Sequence, residues 1–251
     1  MSEARGVPAQ SRFGATLRRD AWWIELLPVV LLLGLFAIYA TARALEGRFY
    51  EWGPYLSPFY SPLIDPGHRW WPFSPALLIL AGPLGFRATC YYYRKAYYRA
   101  FFLDPPACAV GEGRRGYRGE TSFPLVLQNL HRFFLYLALL FLVFLWTDAI
   151  LSFRFDGRFG VGVGSIVLTA NVTLLTLYTF SCHSLRHLVG GRVDCFSCSA
   201  SNRARHRVWR WASQLNERHG LFAWFSLVSV GLADLYVREL ARGTIRDLRL
   251  L

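Results

Sequence analysis

Five stretches of this chain are apolar for long enough to cross a bilayer, and that fact narrows the fold more than any motif does. They run approximately over residues 22–42, 71–91, 125–146, 161–182 and 221–237. A transmembrane helix needs about 20 apolar residues to cross roughly 30 Å of hydrocarbon, and in lipid only helices and closed barrels satisfy every backbone polar group. The pattern predicts an all-α integral membrane protein, a five-helix transmembrane bundle with structured loops. Residues 1–21 read as a polar tail and residues 22–251 as a single membrane domain. The second stretch carries Pro75 and Pro83, which membrane helices tolerate where neighbours satisfy the freed carbonyls.

Composition agrees, since 54% of residues are hydrophobic and only 18% charged, against about a quarter charged in an average soluble domain. A net charge of +12 would point to nucleic acid in a soluble protein. Here the arginines flank apolar runs, so membrane topology accounts for them and no nucleic-acid partner is inferred. In the five-helix reading nineteen Lys and Arg fall on one side and nine on the other. The richer side is the cytoplasm, which puts the N-terminus inside and the short C-terminal tail outside. The first apolar run is too long for a signal-peptide core and lacks a small-residue cleavage site, so it reads as retained.

The outer loop from Glu46 to Trp70 holds Trp52, Tyr55, Phe59, Tyr60 and Trp70 and reads as an aromatic cap at headgroup depth. The inner loop from His183 to Arg218 contains DCFSCSASNRARHRVWRW, a polar turn followed by a basic, aromatic helix lying along the membrane. No internal repeat is visible, and the acceptor pattern at Asn171 lies inside a span.

On this topology all five cysteines and five of six histidines gather at the inner face, with His68 alone outside. A single buried Cys is ordinarily a small hydrophobe; the clustering is what carries information. Two thiolates and two imidazoles suit a Rieske-type two-iron centre, whose raised potential fits delivery of electrons to quinone. The candidate ligands are Cys90, Cys108, His131 and one of His183 or His187, although the short Cys-x-His spacing of such centres is absent. A haem b held by His131 and His183 or His187 is the alternative. Cys195-Phe-Ser-Cys198 by itself could be a redox pair or half of a zinc site, and the zinc site would need His187, His206 or Cys182 to complete it. A disulfide framework is not expected in a reducing compartment.

A quinone pocket needs an apolar slot with a few orienting polar groups. Gln128, Asn129, Arg132, Tyr91, Tyr92, Trp211, Asn216, Arg218 and His219 lie at that face, with Glu25 a further proton-relay candidate. The rival classes are a haem b subunit of another respiratory complex and a structural membrane protein whose Cys and His only pack.

The runs FRATCYYYRKAYYRAFF, DPPACAV, YRGETSFPLVLQNLHR, SCHSLRHLVGG and LNERHGLFAWFSLVSVGLADLYVR resemble the single-subunit membrane anchor of actinobacterial-type succinate dehydrogenases and fumarate reductases. The resemblance implies a bacterial inner-membrane protein that binds a flavoprotein subunit and an iron–sulfur subunit and reduces quinone, with a higher oligomer of the complex left open. It also implies a haem-free branch in which Cys90, Cys108, His131 and His183 would ligate a Rieske-like centre. Arg87, Arg94, Lys95 and Arg99, set among Tyr and Phe, would then dock the iron–sulfur subunit.

Overall fold

The computed structural model describes residues 13–64, 67, 70–112, 121–123 and 125–251. His68, Arg69 and the basic residues Arg5, Arg12, Arg114, Arg115 and Arg118 lie outside the described residues.

Four helices are long and apolar enough to cross a membrane among the described residues: Trp22–Glu46, Leu125–Leu151, Val163–Phe180 and His219–Ala241. The first is a short 3-10 turn running into α1 (Leu26–Glu46). The stretch around residues 71–91 folds differently, as three short helices, α2 (Ala76–Ile79), α3 (Ala81–Ala88) and α4 (Tyr91–Tyr97). Pro75 is the residue that caps α2, and Pro83 lies within α3. From Ala76 to Ala88 the rise is about 20 Å at 1.5 Å per residue, shorter than the roughly 30 Å apolar layer.

The other long helices are α5 (His131–Leu151), α6 (Val163–Phe180) and α9 (His219–Ala241). Between α6 and α9 lie α7 (His183–Gly190) and the polar α8 (Ala200–Asn216), which begins with the Ser199 side chain accepting from the Asn202 N–H at 3.1 Å. That cap satisfies one of the helix's orphan donors. α8 packs on α7, where Arg186 donates to Ser213 and Asn216 and lies over the Trp209 ring.

The contacts that order the bundle are α6 on α9, α5 on α6 and α3 on α5. α3 approaches α5 closely because it offers glycine there. A Cβ on Gly85 would sit 2.1 Å from the Phe134 ring, and one on Gly82 would sit 2.8 Å from Phe141. Small residues at such crossings let membrane helices meet without a hydrophobic driving force.

At the end where α1 finishes, the described residues of the loop that follows it form a packed cap. Its hairpin pairs β1 (Glu51–Trp52) with β2 (Tyr55–Leu56), with Trp52 opposite Tyr55. The expected headgroup-depth aromatics divide here: Trp70 is exposed, whereas Tyr55 and Tyr60 are fully buried. The cause is polar anchoring, since Tyr55 donates to Asp247 at 2.6 Å and Tyr60 donates to the Arg43 carbonyl. Beneath the cap, Arg43 donates to Asp234 at 2.8 and 3.2 Å and to Glu46 at 2.6 Å, and Tyr39 and Ser57 also donate to Asp234. Arg238 completes the network on Glu46 at 3.1 Å. A second hairpin, β3 (Arg154–Phe155) with β4 (Arg158–Phe159), joins α5 to α6. The C-terminal residues return to this end, where Leu250 N–H donates to the Val161 carbonyl at 2.7 Å.

Candidate functional site

The opposite end carries the chemistry. α3 and α6 run into it, α5 and α9 run out of it, and each junction is marked by Cys or His. Cys90 precedes α4, Cys182 precedes α7, His131 opens α5 and His219 opens α9. Both cysteines are extended residues between two helices, with φ/ψ of −67°/132° at Cys90 and −64°/137° at Cys182.

These four side chains form two close pairs. Cys90 Sγ lies 3.5 Å from His219 Nε2, and Cys182 Sγ lies 3.1 Å from His131 Nε2. Cys90, Cys182 and His219 are buried. All four line one cavity of about 430 Å³, together with Tyr91, Tyr92, Arg94, Gln128, Asn129, His183 and Asn216 among others. No Asp or Glu is in that lining. Among the described residues no three His, Cys, Asp or Glu side chains are gathered closely enough to hold one metal ion, so the donors stand as pairs.

Several anticipated residues take other places. Cys108 is exposed in the loop after α4, where its carbonyl accepts from Arg18 at 3.0 Å, and it does not line the cavity. His187 is exposed and points at its neighbour, with Nε2 2.9 Å from His183 Nε2. His183 reaches the cavity edge, and its imidazole titrates below the ordinary histidine range, through burial first and then the nearby His187 and Arg186. Cys182 and His219 were both visible in the sequence, one as a helix end and one as a polar group. Neither could be matched to its partner without the packing of α6 against α5 and of α4 against α9.

The polar candidates also divide. Gln128 donates to the Tyr97 hydroxyl at 3.0 Å, and Asn216 donates to the Ser181 carbonyl at 2.7 Å while accepting from Arg186, so both amides are held in place. Tyr91 is exposed at the rim, with the Arg94 guanidinium 4.8 Å over its ring. Arg132, Trp211 and Arg218 do not line the cavity. Trp211 rests on Phe180 at 5.8 Å.

Among the basic residues, Arg87 turns inward. It donates to the Tyr93 hydroxyl at 2.5 Å and to Ser226, and it sits 5.0 Å over the Tyr178 ring, which makes it a strut between α3 and α9. Lys95 is exposed, and Arg99 donates to the Pro106 carbonyl and lies 3.7 Å from Glu25. Glu25 is thus part of a solvent-exposed ion pair and does not line the cavity.

Cys195 and Cys198 are joined by a disulfide, a pairing open to a redox Cys-x-x-Cys, although no disulfide framework is expected on this side. Their Cα atoms are 5.6 Å apart, inside bridging range. His206 packs on Phe196 at 4.6 Å and on Trp209.

A second, apolar cavity of about 160 Å³ lies within the bundle, lined by Phe36, Leu80, Phe141, Leu145, Leu175 and Tyr178 among others. It shares Phe86 and Tyr178 with the core around the Cys–His pairs.

Residues 24–243 match the sequence family described as actinobacterial succinate dehydrogenase subunit SdhC. No curated protein matches the chain. Among solved structures, a chain of the Mycobacterium smegmatis Sdh1 complex in the apo form is similar at 44% identity, covering 98% of each chain with a TM-score of 0.84.

Proposed function

The chain belongs to the family of actinobacterial succinate dehydrogenase subunit SdhC, and on that premise we propose that it anchors a succinate dehydrogenase in the bacterial inner membrane and passes electrons to quinone. Its partners are the flavoprotein and iron–sulfur subunits of that enzyme, which carry the succinate chemistry. The basic side is the cytoplasmic one in this reading, with the N-terminus inside. The fifth crossing is the broken segment α2–α3, completed across the bilayer by its neighbours.

The observation that supports the electron-transfer reading is that two Cys–His pairs line one polar cavity at the end of an apolar bundle. The donor set fits a Rieske-type two-iron centre. Two thiols and two imidazoles are the ligand types such a centre takes, and hard cations such as Mg²⁺ or Ca²⁺ want the carboxylates that this lining lacks. The residues that would hold it are Cys90, Cys182, His131 and His219. This departs from the set read in the sequence by exchanging Cys108 for Cys182 and His183 or His187 for His219. When bound, the group supplies one-electron transfer at a potential raised by its imidazole ligands.

The chain's own residues do the rest. Quinone reduction consumes two electrons and two protons, and the Asn216 amide, fixed by the Ser181 carbonyl and Arg186, has a second N–H to orient a quinone carbonyl, while Gln128, which donates to the Tyr97 hydroxyl and the Ala88 carbonyl, braces the wall. His183 and Tyr91, at the cavity mouth, exchange protons with water. The basic rim, Arg94, Lys95 and Arg99, receives the iron–sulfur subunit.

The test is a low-temperature EPR and visible spectrum of the dithionite-reduced complex, purified with its soluble subunits. The expected result is a rhombic signal of low average g, additional to the clusters of the soluble subunit, and no haem band. A haem band without that signal would overturn the two-iron reading, and His131 with His183 or His187 would then be the residues to hold a haem.

A further inference from the structure

We infer that the cavity is built from a duplicated motif, aromatic-x-x-hydroxyl-Cys followed by a distant His, in which Thr89 and Ser181 are positioning residues that fix the tautomers of His131 and His219. The inference rests on the two-iron reading above and names residues outside it. The first copy is Phe86-Arg87-Ala88-Thr89-Cys90 and the second is Tyr178-Thr179-Phe180-Ser181-Cys182. His131 follows Thr89 by 42 residues and His219 follows Ser181 by 38.

The contacts repeat term by term. Each aromatic stacks on the histidine of its own copy, Phe86 on His131 at 4.8 Å and 5°, Tyr178 on His219 at 5.1 Å and 16°. Each hydroxyl meets the Nδ1 of that same histidine, Thr89 at 2.9 Å and Ser181 at 2.7 Å. Each cysteine then faces the Nε2 of the other copy's histidine. Both copies run alike: a helix enters the end of the bundle, an extended Cys starts a short helix, and a His starts the helix that leaves. This is the relation expected of parallel repeats about an axis along the membrane normal.

The hydroxyls decide the tautomers. Thr89 Oγ1 donates its one proton to the Gly85 carbonyl at 2.7 Å, and Ser181 Oγ donates to the Tyr178 carbonyl at 3.0 Å. A carbonyl can only accept, so each hydroxyl has only lone pairs left for the imidazole. Each His is therefore protonated at Nδ1 and carries a bare lone pair at Nε2, turned toward a thiol. Loading a metal centre then requires only that the two thiol protons leave, because neither imidazole has to move a proton between its nitrogens. Partners of this kind orient ligand imidazoles, and their loss typically weakens metal binding about 10–100-fold.

The experiment uses the whole complex with Thr89→Val, Ser181→Ala, Thr89→Ser and Ser181→Thr, read by EPR of the low-g signal during challenge with a ferrous chelator. Thr89→Val and Ser181→Ala are expected to lose the signal at about 10–100-fold lower chelator concentration than wild type, by similar factors, while the soluble subunits remain bound. Thr89→Ser and Ser181→Thr, which keep the hydroxyl, are expected to behave as wild type. Wild-type retention in both Thr89→Val and Ser181→Ala would overturn the inference and leave the two-iron reading standing. Equal loss in the hydroxyl-retaining variants would also overturn it, since the effect would then be packing alone. Absence of the signal in wild type would overturn the two-iron reading itself, and this inference with it.

Discussion

Cys108 and Cys182 make opposite use of the same side chain, and at the residue scale they are the pair that discriminates best. Cys182 is buried 3.1 Å from His131, whereas Cys108 is exposed in a loop and touches the site nowhere. A thiolate ligand cannot be replaced by a hydroxyl without losing its soft donor, so Cys182→Ser is expected to abolish the low-g EPR signal. Cys108→Ser is expected to leave it intact, and the opposite outcome would restore the loop cysteine to the ligand set. Part of this cavity's lining was legible in the sequence, because Cys90, His131, Gln128 and Asn216 were marked by their types at helix ends. The pairing was not. Sequence proximity draws Cys90 toward Cys108, but each cysteine meets the histidine of a distant helix, which only the packing of α3, α5, α6 and α9 decides. The duplicated motif was hidden for a related reason: its two copies share identical residues only at the Cys and the distant His, and the rest of the likeness is of chemical type.

At the scale of elements, the four long helices announced themselves by apolar length, and the second stretch did not behave as one helix because Pro75 and Pro83 interrupt it. What the sequence hid is that this broken segment is held by glycine. Gly85 faces the Phe134 ring so closely that even a methyl group would overlap it. Forcing such a contact costs about 1–3 kcal/mol, and the displacement would be felt at Thr89 and Cys90, one turn further on. Gly85→Ala is therefore expected to lower the melting temperature of the purified complex and to broaden the EPR signal. Gly34→Ala is the matched control, since nothing lies within 4 Å of its Cβ position; removing a helix-interior glycine there should be neutral or gain up to about 1 kcal/mol. Equal destabilisation by both changes would show that α3 is not seated on α5 as described. The cap was misjudged from its composition for a similar reason: Tyr55 and Tyr60 look like interfacial anchors until their hydroxyls are found bonded to Asp247 and to the Arg43 carbonyl.

The whole molecule is polarised between two buried polar centres at opposite ends of the bundle, with apolar helix and an apolar cavity between them. One end holds the Cys–His pairs; the other holds Asp234, fully buried, with Arg43, Tyr39 and Ser57 around it. This second centre ties α1, α9 and the cap together but shares no residue with the first. Removing one partner of a buried ion pair strands the other charge and costs about 3–5 kcal/mol, whereas replacing both with apolar groups is often close to neutral. Asp234→Ala should therefore destabilise the complex strongly, and Arg43→Met added to it should recover a large part of the loss, because Glu46 keeps its contact with Arg238. If the two ends are independent, both variants that still assemble should give an EPR line shape identical to wild type despite their different melting temperatures. A line shape that changed with Asp234→Ala would mean that the helix α9, which carries Asp234 near one end and starts with His219 at the other, transmits strain along its length, and the fixed geometry argued for the histidines would then belong to the entire bundle and not to its hydroxyl clamps.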